Sequence, residues 1–182
     1  MGAVASKQRG FETVGDMVRS IGLVLVAVAV AFAIGLWPKT AAVKVVEYGP
    51  VVEQARAVAP YELLAPTGLP TSWKATSMRY EPAAGNSARP VTTWHLGFVT
   101  AKDKYAAVEQ TNGALDDVLK ASLGAAHTDG STQIAGKSWD RLESDNGKRR
   151  ALLQVSGQVS VAVQGSASWQ ELEQLAGALR AS

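Results

Sequence analysis

The 182-residue sequence contains no cysteine, only two histidines and almost no excess charge. Without cysteine, the chain has no disulfides, thiolate metal sites or cysteine nucleophiles. The formal net charge of +2 is too small for a protein that binds nucleic acid through a basic surface, so no nucleic-acid partner is expected. Since 47% of the residues are hydrophobic and 19% are charged, the chain is also too apolar to be disordered.

Charge is missing altogether from a long apolar run near the N-terminus. Residues 21–37, IGLVLVAVAVAFAIGLW, include no charged side chain and leave no polar stripe on any helical face. With Met17 and Val18 the run extends to twenty-one residues, which as a helix reach about 31 Å, close to the thickness of a bilayer core. We therefore predict a transmembrane helix at 17–37, with the membrane as its partner. The alternative is a wholly buried helix.

The orientation of this helix is predicted from the lengths of its flanks. Three basic residues lie near each end of the helix, so the distribution of positive charge does not choose. About 140 residues follow the apolar run and about twenty precede it, and a long following domain is translocated largely regardless of charge. We expect a single-pass cell-membrane protein with a cytoplasmic tail at 1–16, a linker at 38–48 and an extracytoplasmic domain at 49–182.

A cleaved signal peptide is the competing interpretation of the same run. Ala31 and Ala33 are small residues of the kind that signal peptidase accepts, but they lie inside the apolar run instead of after it. The run is also longer than the 7–15 residues usual for the core of a signal peptide. A retained signal anchor is therefore favoured, with Trp37 at the outer interface and Pro38 ending the helix.

The segment 49–182 is expected to form one α+β domain. Apolar residues at helical spacing predict helices at 51–59, 115–123 and 169–179. An irregular, proline-rich segment separates the first helix from the strands. The predicted strands lie at 73–80, 92–100, 104–110, 139–144, 148–155 and 159–163. We predict an antiparallel sheet of about six strands with the helices packed on one face.

Two short motifs fix element boundaries in the C-terminal third. Asn146-Gly147 supplies the positive φ angles of a tight hairpin turn. Ser168 and Glu171 have the spacing of a helix capping box.

Thr111 or Asn112 is expected to cap the middle helix. The tryptophans of the domain are expected to anchor its core, and they are Trp73, Trp94, Trp139 and Trp169.

The sequence contains few candidate catalytic residues. His127 and Asp129 are two residues apart and could form half of an acid–base pair, although a surface histidine in a turn is the favoured interpretation. His95 lies on the strand face opposite Trp94. The sequence has no nucleophile elbow, HExxH motif, phosphate-binding glycine loop or calcium loop. We therefore predict no catalytic, cofactor-binding or metal-binding residues, no cofactor, and a protein that is not an enzyme.

Two charged clusters can be explained without a binding site. Asp116 and Asp117 are adjacent on a helix, so their side chains diverge by about 100°, which is unsuited to a shared metal ion. Residues 148–150, Lys-Arg-Arg, follow the predicted hairpin turn. They could contact phosphate or an acidic wall polymer, but a solvated hairpin tip is favoured.

The order of the segments resembles that of a known family. A basic-flanked apolar span precedes residues 49–80, GPVVEQARAVAPYELLAPTGLPTSWKATSMRY, then 92–111, TTWHLGFVTAKDKYAAVEQT, and then 138–144, SWDRLES. This order resembles an uncharacterised family of actinobacterial membrane-anchored proteins, a domain of unknown function. LAPTGLPTSWKATS and the WxLGFVT strand followed by Tyr105 are its most specific parts. The resemblance implies a location in the cell envelope and supplies no activity or site residues.

These observations lead to two expectations of function. The first is a single-pass cell-envelope protein with a non-catalytic extracytoplasmic binding or assembly domain, whose partner is an envelope protein or a lipid. The second is an extracytoplasmic carrier of a lipid or small apolar ligand, held between the sheet and its helices. The carrier requires a large apolar cavity, whereas a close-packed core counts against it.

Overall fold

The computed structural model describes residues 21–22, 24–26, 45–83 and 90–181. The chain divides into two compact units, 1–42 and 43–182. In the first unit the described residues are helical. No helix within the described ranges is long and apolar enough to cross a bilayer. Most of the predicted helix at 17–37, like the tail before it and the Ala31–Ala33 motif, lies outside those ranges.

The described part of the second unit contains three helices and nine strands. In chain order they are α1 (Gly49–Val58), β1 (Ala65–Pro66), β2 (Lys74–Glu81), β3 (Thr93–Val99), β4 (Tyr105–Thr111), α2 (Asp116–Leu123), β5 (Ala126–Ile134), β6 (Lys137–Ser144), β7 (Arg150–Ser156), β8 (Val159–Gly165), α3 (Trp169–Ala178) and β9 (Leu179–Arg180).

The main sheet has seven strands in the order β2-β3-β4-β8-β7-β6-β5. Every neighbouring pair in it is antiparallel. The short strands β1 and β9 pair separately, also antiparallel. The predicted α+β class and antiparallel sheet are confirmed as a sheet-dominated α+β domain. The prediction lacks three strands, which are β5 of the main sheet and the two short strands β1 and β9.

The main hydrophobic core lies on the face of the sheet that α1 and α3 cover. Trp94, Leu96 and Phe98 alternate along β3 and are at most 2% exposed. They pack in one cluster with Leu172 and Leu175 of α3, both fully buried. The extended segment after α1 also joins this cluster through buried side chains. We call this side of the sheet the core face.

A helix also covers the opposite side of the sheet. Neighbouring residues on a strand point to opposite faces, and on β7 Leu152 belongs to the main core while Ala151 belongs to a second apolar cluster. In that cluster Leu119 and Leu123 of α2 pack over β6, β7 and β8. The prediction that all helices pack on one face is therefore wrong. We call this side the second face.

The local motifs are confirmed in part. The capping box is present, since the Ser168 hydroxyl accepts from the Glu171 amide and the Glu171 carboxylate accepts from the Ser168 amide. The connection between β6 and β7 covers residues 145–149 and is longer than the predicted connection at 145–147. Gly147 does adopt a positive φ of 67°, but Asn146 does not. Neither Thr111 nor Asn112 caps α2, whose N-cap position is Leu115. The Asn112 carboxamide oxygen accepts from the Thr92 amide at 2.8 Å instead.

The four tryptophans do not share one environment. Three are buried, with Trp94 at 0%, Trp139 at 3% and Trp73 at 9% exposed. Trp169 is only partly buried, and the Arg141 guanidinium lies 4.0 Å from its ring centroid. Trp169 therefore packs against the main core from its border, and its ring also stacks with a cation at the start of α3.

Candidate functional site

Strand pairing brings polar side chains together on the second face. His95 of β3 is the direct neighbour of Glu109 on β4, and Gly97 is the direct neighbour of Ser77 on β2. Ser77 is therefore diagonal to His95, within reach of an imidazole across adjacent antiparallel strands. We call Ser77, His95, Tyr105 and Glu109 the polar cluster.

A chain of hydrogen bonds links the three central members of the cluster. The Nδ1 atom of His95 lies 2.5 Å from Oε1 of Glu109, and its Nε2 atom lies 3.0 Å from Oγ of Ser77. An ionised carboxylate only accepts hydrogen bonds, so Nδ1 of His95 carries the proton and donates it to Glu109. In neutral His95, Nε2 then presents a lone pair to the Ser77 hydroxyl, which donates to it.

The cluster becomes less accessible from the edge of the sheet inward. The Glu109 side chain is 6% exposed and that of His95 is 13% exposed. Ser77, on the edge strand β2, is only partly buried. The serine is therefore the member closest to solvent, while the carboxylate that orients the histidine is shielded. Shielding strengthens the electrostatic interaction between them.

Tyr105 completes the cluster. Its hydroxyl lies 3.4 Å from Nε2 of His95 and approaches the same point beside Gly97 as the Ser77 hydroxyl. Burial raises the pKa of Tyr105, and the neighbouring Glu109 charge raises it further, although the Ser77 hydrogen bond and the charges of Arg149 and Arg79 act in the opposite direction. The phenol therefore remains a proton donor at physiological pH.

The close approach of these groups depends on a glycine. A Cβ atom added to Gly97 would lie 2.7 Å from the Tyr105 hydroxyl and closer still to the Ser77 hydroxyl. Real Cβ atoms essentially never make such contacts, so a side chain at Gly97 would push the two hydroxyls away from His95. The glycine thus leaves the space in which the cluster is assembled.

The arrangement combines a hydroxyl, a base and a carboxylate that orients the base. These are the relative positions found in serine–histidine–carboxylate triads, which are recognised by geometry and not by sequence order. Such a chain can bind a polar ligand through its hydroxyls, or activate the serine oxygen by accepting its proton. Within the described ranges, no group of three or more His, Asp or Glu side chains is placed to hold a metal ion.

The histidine singled out by the sequence lies elsewhere. His127 is on β5, and its Nδ1 atom lies 3.2 Å from a carboxylate oxygen of Asp145, not of Asp129. The side chains of His127 and Asp145 are 58% and 63% exposed. Asp129 lies instead 3.9 Å from Arg141. The structure therefore does not bring the predicted acid–base pair together.

The two charged clusters take structural positions. Asp116 and Asp117 are in the first turn of α2, where negative charge interacts favourably with the helix dipole. In the basic cluster, Arg150 pairs with Glu143 at 2.7 Å. Lys148 and Arg149 lie in the exposed connection before β7. Arg150 is therefore a partly buried ion-pair residue, with only 25% of its side chain exposed, whereas Lys148 and Arg149 are exposed.

Sequence reasoning missed the polar cluster because its members are 18 and 14 residues apart along the chain. Only the register of three strands brings them together. One signal was present: Glu109 is a carboxylate in the otherwise uncharged strand YAAVEQT. A buried carboxylate requires a partner, and the histidine on the adjacent polar strand face is the one available.

The fold and the site define a small sheet-dominated α+β domain with a serine–histidine–glutamate network on its second face. The sequence profile of the family described as "Protein of unknown function (DUF4245)" matches residues 9–179. The chain therefore belongs to this family, as the resemblance to an uncharacterised family predicted. No curated protein and no solved structure matches the chain.

Proposed function

We propose that the chain is a single-pass protein of an actinobacterial cell envelope, whose extracytoplasmic domain binds a partner or supports an assembly without turning over a substrate. The uncharged run at 21–37 is the main support for the membrane anchor. Among its described residues, Ile21, Leu25 and Val26 are helical and between 48% and 64% exposed. Large apolar side chains that are exposed together favour a lipid environment.

The composition of the following domain supports an extracytoplasmic location. From residue 45 onward the chain has thirteen Lys and Arg against fourteen Asp and Glu, and no cysteine. Such a domain has no thiols to be oxidised outside the cytoplasm, and it folds through packing alone. Its near-neutral charge also disfavours a function based on a basic surface.

The polar cluster is the single observation that supports binding through a defined site. The apolar cluster of the second face is built from α2, β6, β7 and β8, whereas β2, β3 and β4 present Ser77, His95 and Tyr105 there. A buried polar network is expensive unless every member is paired, and a fold that needed only stability would place apolar residues here. Ser77 and Tyr105 are partly exposed, so the cluster is not sealed off from solvent.

The carrier function receives less support from the described core. The cavity beneath α3, lined by Leu64, Trp139 and Ala176 among others, has a volume of about 50 Å³. Sites for small organic ligands occupy roughly 300–1,000 Å³. The side chains around this cavity are also close-packed, with Leu172 and Leu175 fully buried. A lipid between sheet and α3 would have to displace this packing.

The anchor is tested by fractionation and by reporter fusions on the full chain. We expect the protein to remain in the membrane after alkaline carbonate washing and to dissolve only in detergent. A reporter active only outside the cytoplasm should work at the C-terminus and fail at the N-terminus. Recovery of the protein in the aqueous fraction, or the opposite reporter pattern, would contradict the proposal.

The binding site is tested by matched charge reversals. Arg79 of β2 is the direct neighbour of His95 on β3. The Arg79 side chain is 61% exposed, so the Arg79→Glu variant should fold normally. Lys148→Glu makes the same change in the exposed connection before β7. Envelope components that crosslink to the wild-type chain should be lost with Arg79→Glu and kept with Lys148→Glu. The reverse pattern would place binding at the basic connection and overturn the site.

A further inference from the structure

We propose that Ser77 is a covalent acceptor of acyl groups, which it takes from a carboxylic ester bound at the polar cluster. This inference rests on the proposed binding function and names the chemical class of the ligand. The domain would then hold part of its ligand through a covalent bond instead of through contacts alone.

The geometry supplies the two groups that activate a hydroxyl. The Ser77 oxygen lies 3.0 Å from Nε2 of His95, within the range over which an imidazole removes a proton from an attacking hydroxyl. The Glu109 carboxylate holds the opposite side of the ring at 2.5 Å and fixes the tautomer that leaves Nε2 free to accept. Glu109 is therefore a positioning residue for His95.

The same cluster offers a donor for the negative charge that develops in such a reaction. Attack on an ester carbonyl makes its oxygen negative, and hydrogen-bond donors next to that oxygen stabilise the intermediate. The Tyr105 hydroxyl lies 3.4 Å from Nε2 of His95 and approaches the same point beside Gly97 as the Ser77 hydroxyl, so it lies near the carbon under attack. Arg79 and Arg149 act on Tyr105 through their positive charge, which also favours an anionic intermediate.

Ser77 lies on the solvent side of the polar cluster. Ser77 is partly exposed on β2, whose outer side is an edge of the seven-stranded sheet. Gly97 beside it has no side chain, and a Cβ there would collide with both hydroxyls. The Ser77 and Tyr105 hydroxyls occupy the space that a side chain at Gly97 would fill, so an ester carbonyl would have to approach Ser77 from the solvent side of these hydroxyls.

The reaction is balanced by groups already present. The Ser77 oxygen forms a bond to the ester carbonyl carbon, and its proton passes to Nε2 of His95. The bond from that carbon to the alcohol oxygen then breaks, and the alcohol leaves with the proton from Nε2. The products are an ester of Ser77 and a free alcohol. No oxidant or reductant enters the step.

The test uses the full chain in detergent with p-nitrophenyl acetate as the ester. We expect one equivalent of p-nitrophenolate per chain and a mass increase of one acetyl group, located on Ser77 by peptide mass spectrometry. Because the modified peptide is mapped in the wild-type protein, the result does not depend on a variant folding. Acetylation spread over lysines, or none on Ser77, would overturn the inference.

Variants separate activation from structure. Glu109→Gln should slow acetylation of Ser77 by roughly 10²-fold or more, and Tyr105→Phe by roughly 10-fold or more. In the wild type the rate should level off as pH rises, whereas in His95→Gln it should increase in proportion to hydroxide. Ser138→Ala, a substitution of an exposed serine on β6, should leave the rate unchanged. A wild-type rate in folded Glu109→Gln would show that the carboxylate has only a structural role.

The outcome is independent of the tests of the proposed function. If Ser77 is not acetylated, the reporter pattern and the Arg79→Glu crosslinking result stand, and the cluster binds without covalent chemistry. If the anchor or the crosslinking test fails while Ser77 is acetylated, the reactive serine belongs to a domain with another location or partner. The two failures therefore give different results.

Discussion

The two faces of the seven-stranded sheet bury different kinds of side chains. On the core face, Trp94, Leu96 and Phe98 pack against the leucines of α3, and burial of apolar area stabilises the fold. On the second face, at the positions next to these on the same strand, His95 belongs to a hydrogen-bonded network and Gly97 leaves space for it. One strand therefore serves packing on one side and polar contacts on the other.

This difference indicates where stability and function are separated in the domain. Apolar contacts on the core face are non-directional and tolerate small shifts. The polar cluster depends on distances of 2.5 and 3.0 Å, which only fixed strands can maintain. The core face thus acts as the rigid support that holds the cluster in place. Substitutions on the two faces should differ in kind as well as in size.

The largest effect is expected from Trp94→Ala on the core face. Trp94 is fully buried, and its indole nitrogen donates to the Leu64 carbonyl at 3.2 Å. Its removal leaves a cavity and an unpaired carbonyl, with a loss of about 4 kcal/mol in the free energy of unfolding, measured by urea titration. The matched variant Leu119→Ala, under the short helix α2, should lose less. An equal loss would contradict the assignment of the main core.

A second prediction compares neighbours on β4 that point to opposite faces. Gln110, on the core face, accepts from the Leu64 amide and donates to the Glu62 carbonyl, both at 2.8 Å. Gln110→Glu removes the donor and buries a charge against a carbonyl, which should cost about 3 kcal/mol or more in unfolding free energy.

Glu109→Gln makes the reverse change on the second face. The amide oxygen of the new glutamine can still accept from Nδ1 of His95, so the loss of unfolding free energy should be about 1 kcal/mol or less. Chemical denaturation of both variants checks the contrast. A larger loss for Glu109→Gln than for Gln110→Glu would show that the polar cluster, and not the Gln110 clamp, holds the sheet together.

The sequence predicts the parts of the fold that depend on local signals. The strand with Trp94, the capping box at Ser168 and the apolar stripe of α3 are all present where alternation, spacing and periodicity place them. Each of these signals is contained within about ten residues, so it does not depend on the rest of the chain.

Features that depend on distant partners could not be predicted. Strand β5, with the sequence AHTDGSTQI, is exposed along most of its length on the sheet edge, so it shows no apolar alternation. Ala151 and Ala162 pack against α2 on the second face. Because their side chains are small, the sequence does not show on which face of the sheet they are buried. Likewise, the polar cluster depends on the relative register of β2, β3 and β4, which no local pattern specifies.

A smaller effect is predicted for the pH dependence of stability at the capping box. Burial alone would raise the pKa of Glu171, but hydrogen bonds from Ser168 and Thr100 and the charge of Lys102 lower it below its usual value of 4.5. The ionised carboxylate therefore stabilises the folded state above pH 4.5, and this contribution is lost as the pH falls below that value.

Glu171→Gln tests this contribution. The variant should be about 1 kcal/mol less stable than the wild type at pH 7, and the difference should shrink as the pH falls below 4.5. Thermal unfolding at each pH provides the measurement. Glu173→Gln on the same helix is the control, because it changes the net charge equally without touching the cap. The same pH dependence in the control would attribute the effect to net charge.

The smallest effect is predicted for His127→Ala, which contrasts the two histidines. His127 pairs with Asp145 through side chains that are both more than half exposed, and such surface pairs contribute between 0 and about 1 kcal/mol. We expect a change within about 0.5 kcal/mol in unfolding free energy and unchanged crosslinking to envelope components. His95→Ala should instead leave the buried Glu109 carboxylate unpaired and cost about 3 kcal/mol. If loss of His127 abolished crosslinking while loss of His95 did not, the binding site would belong to the β5 edge and not to the second face.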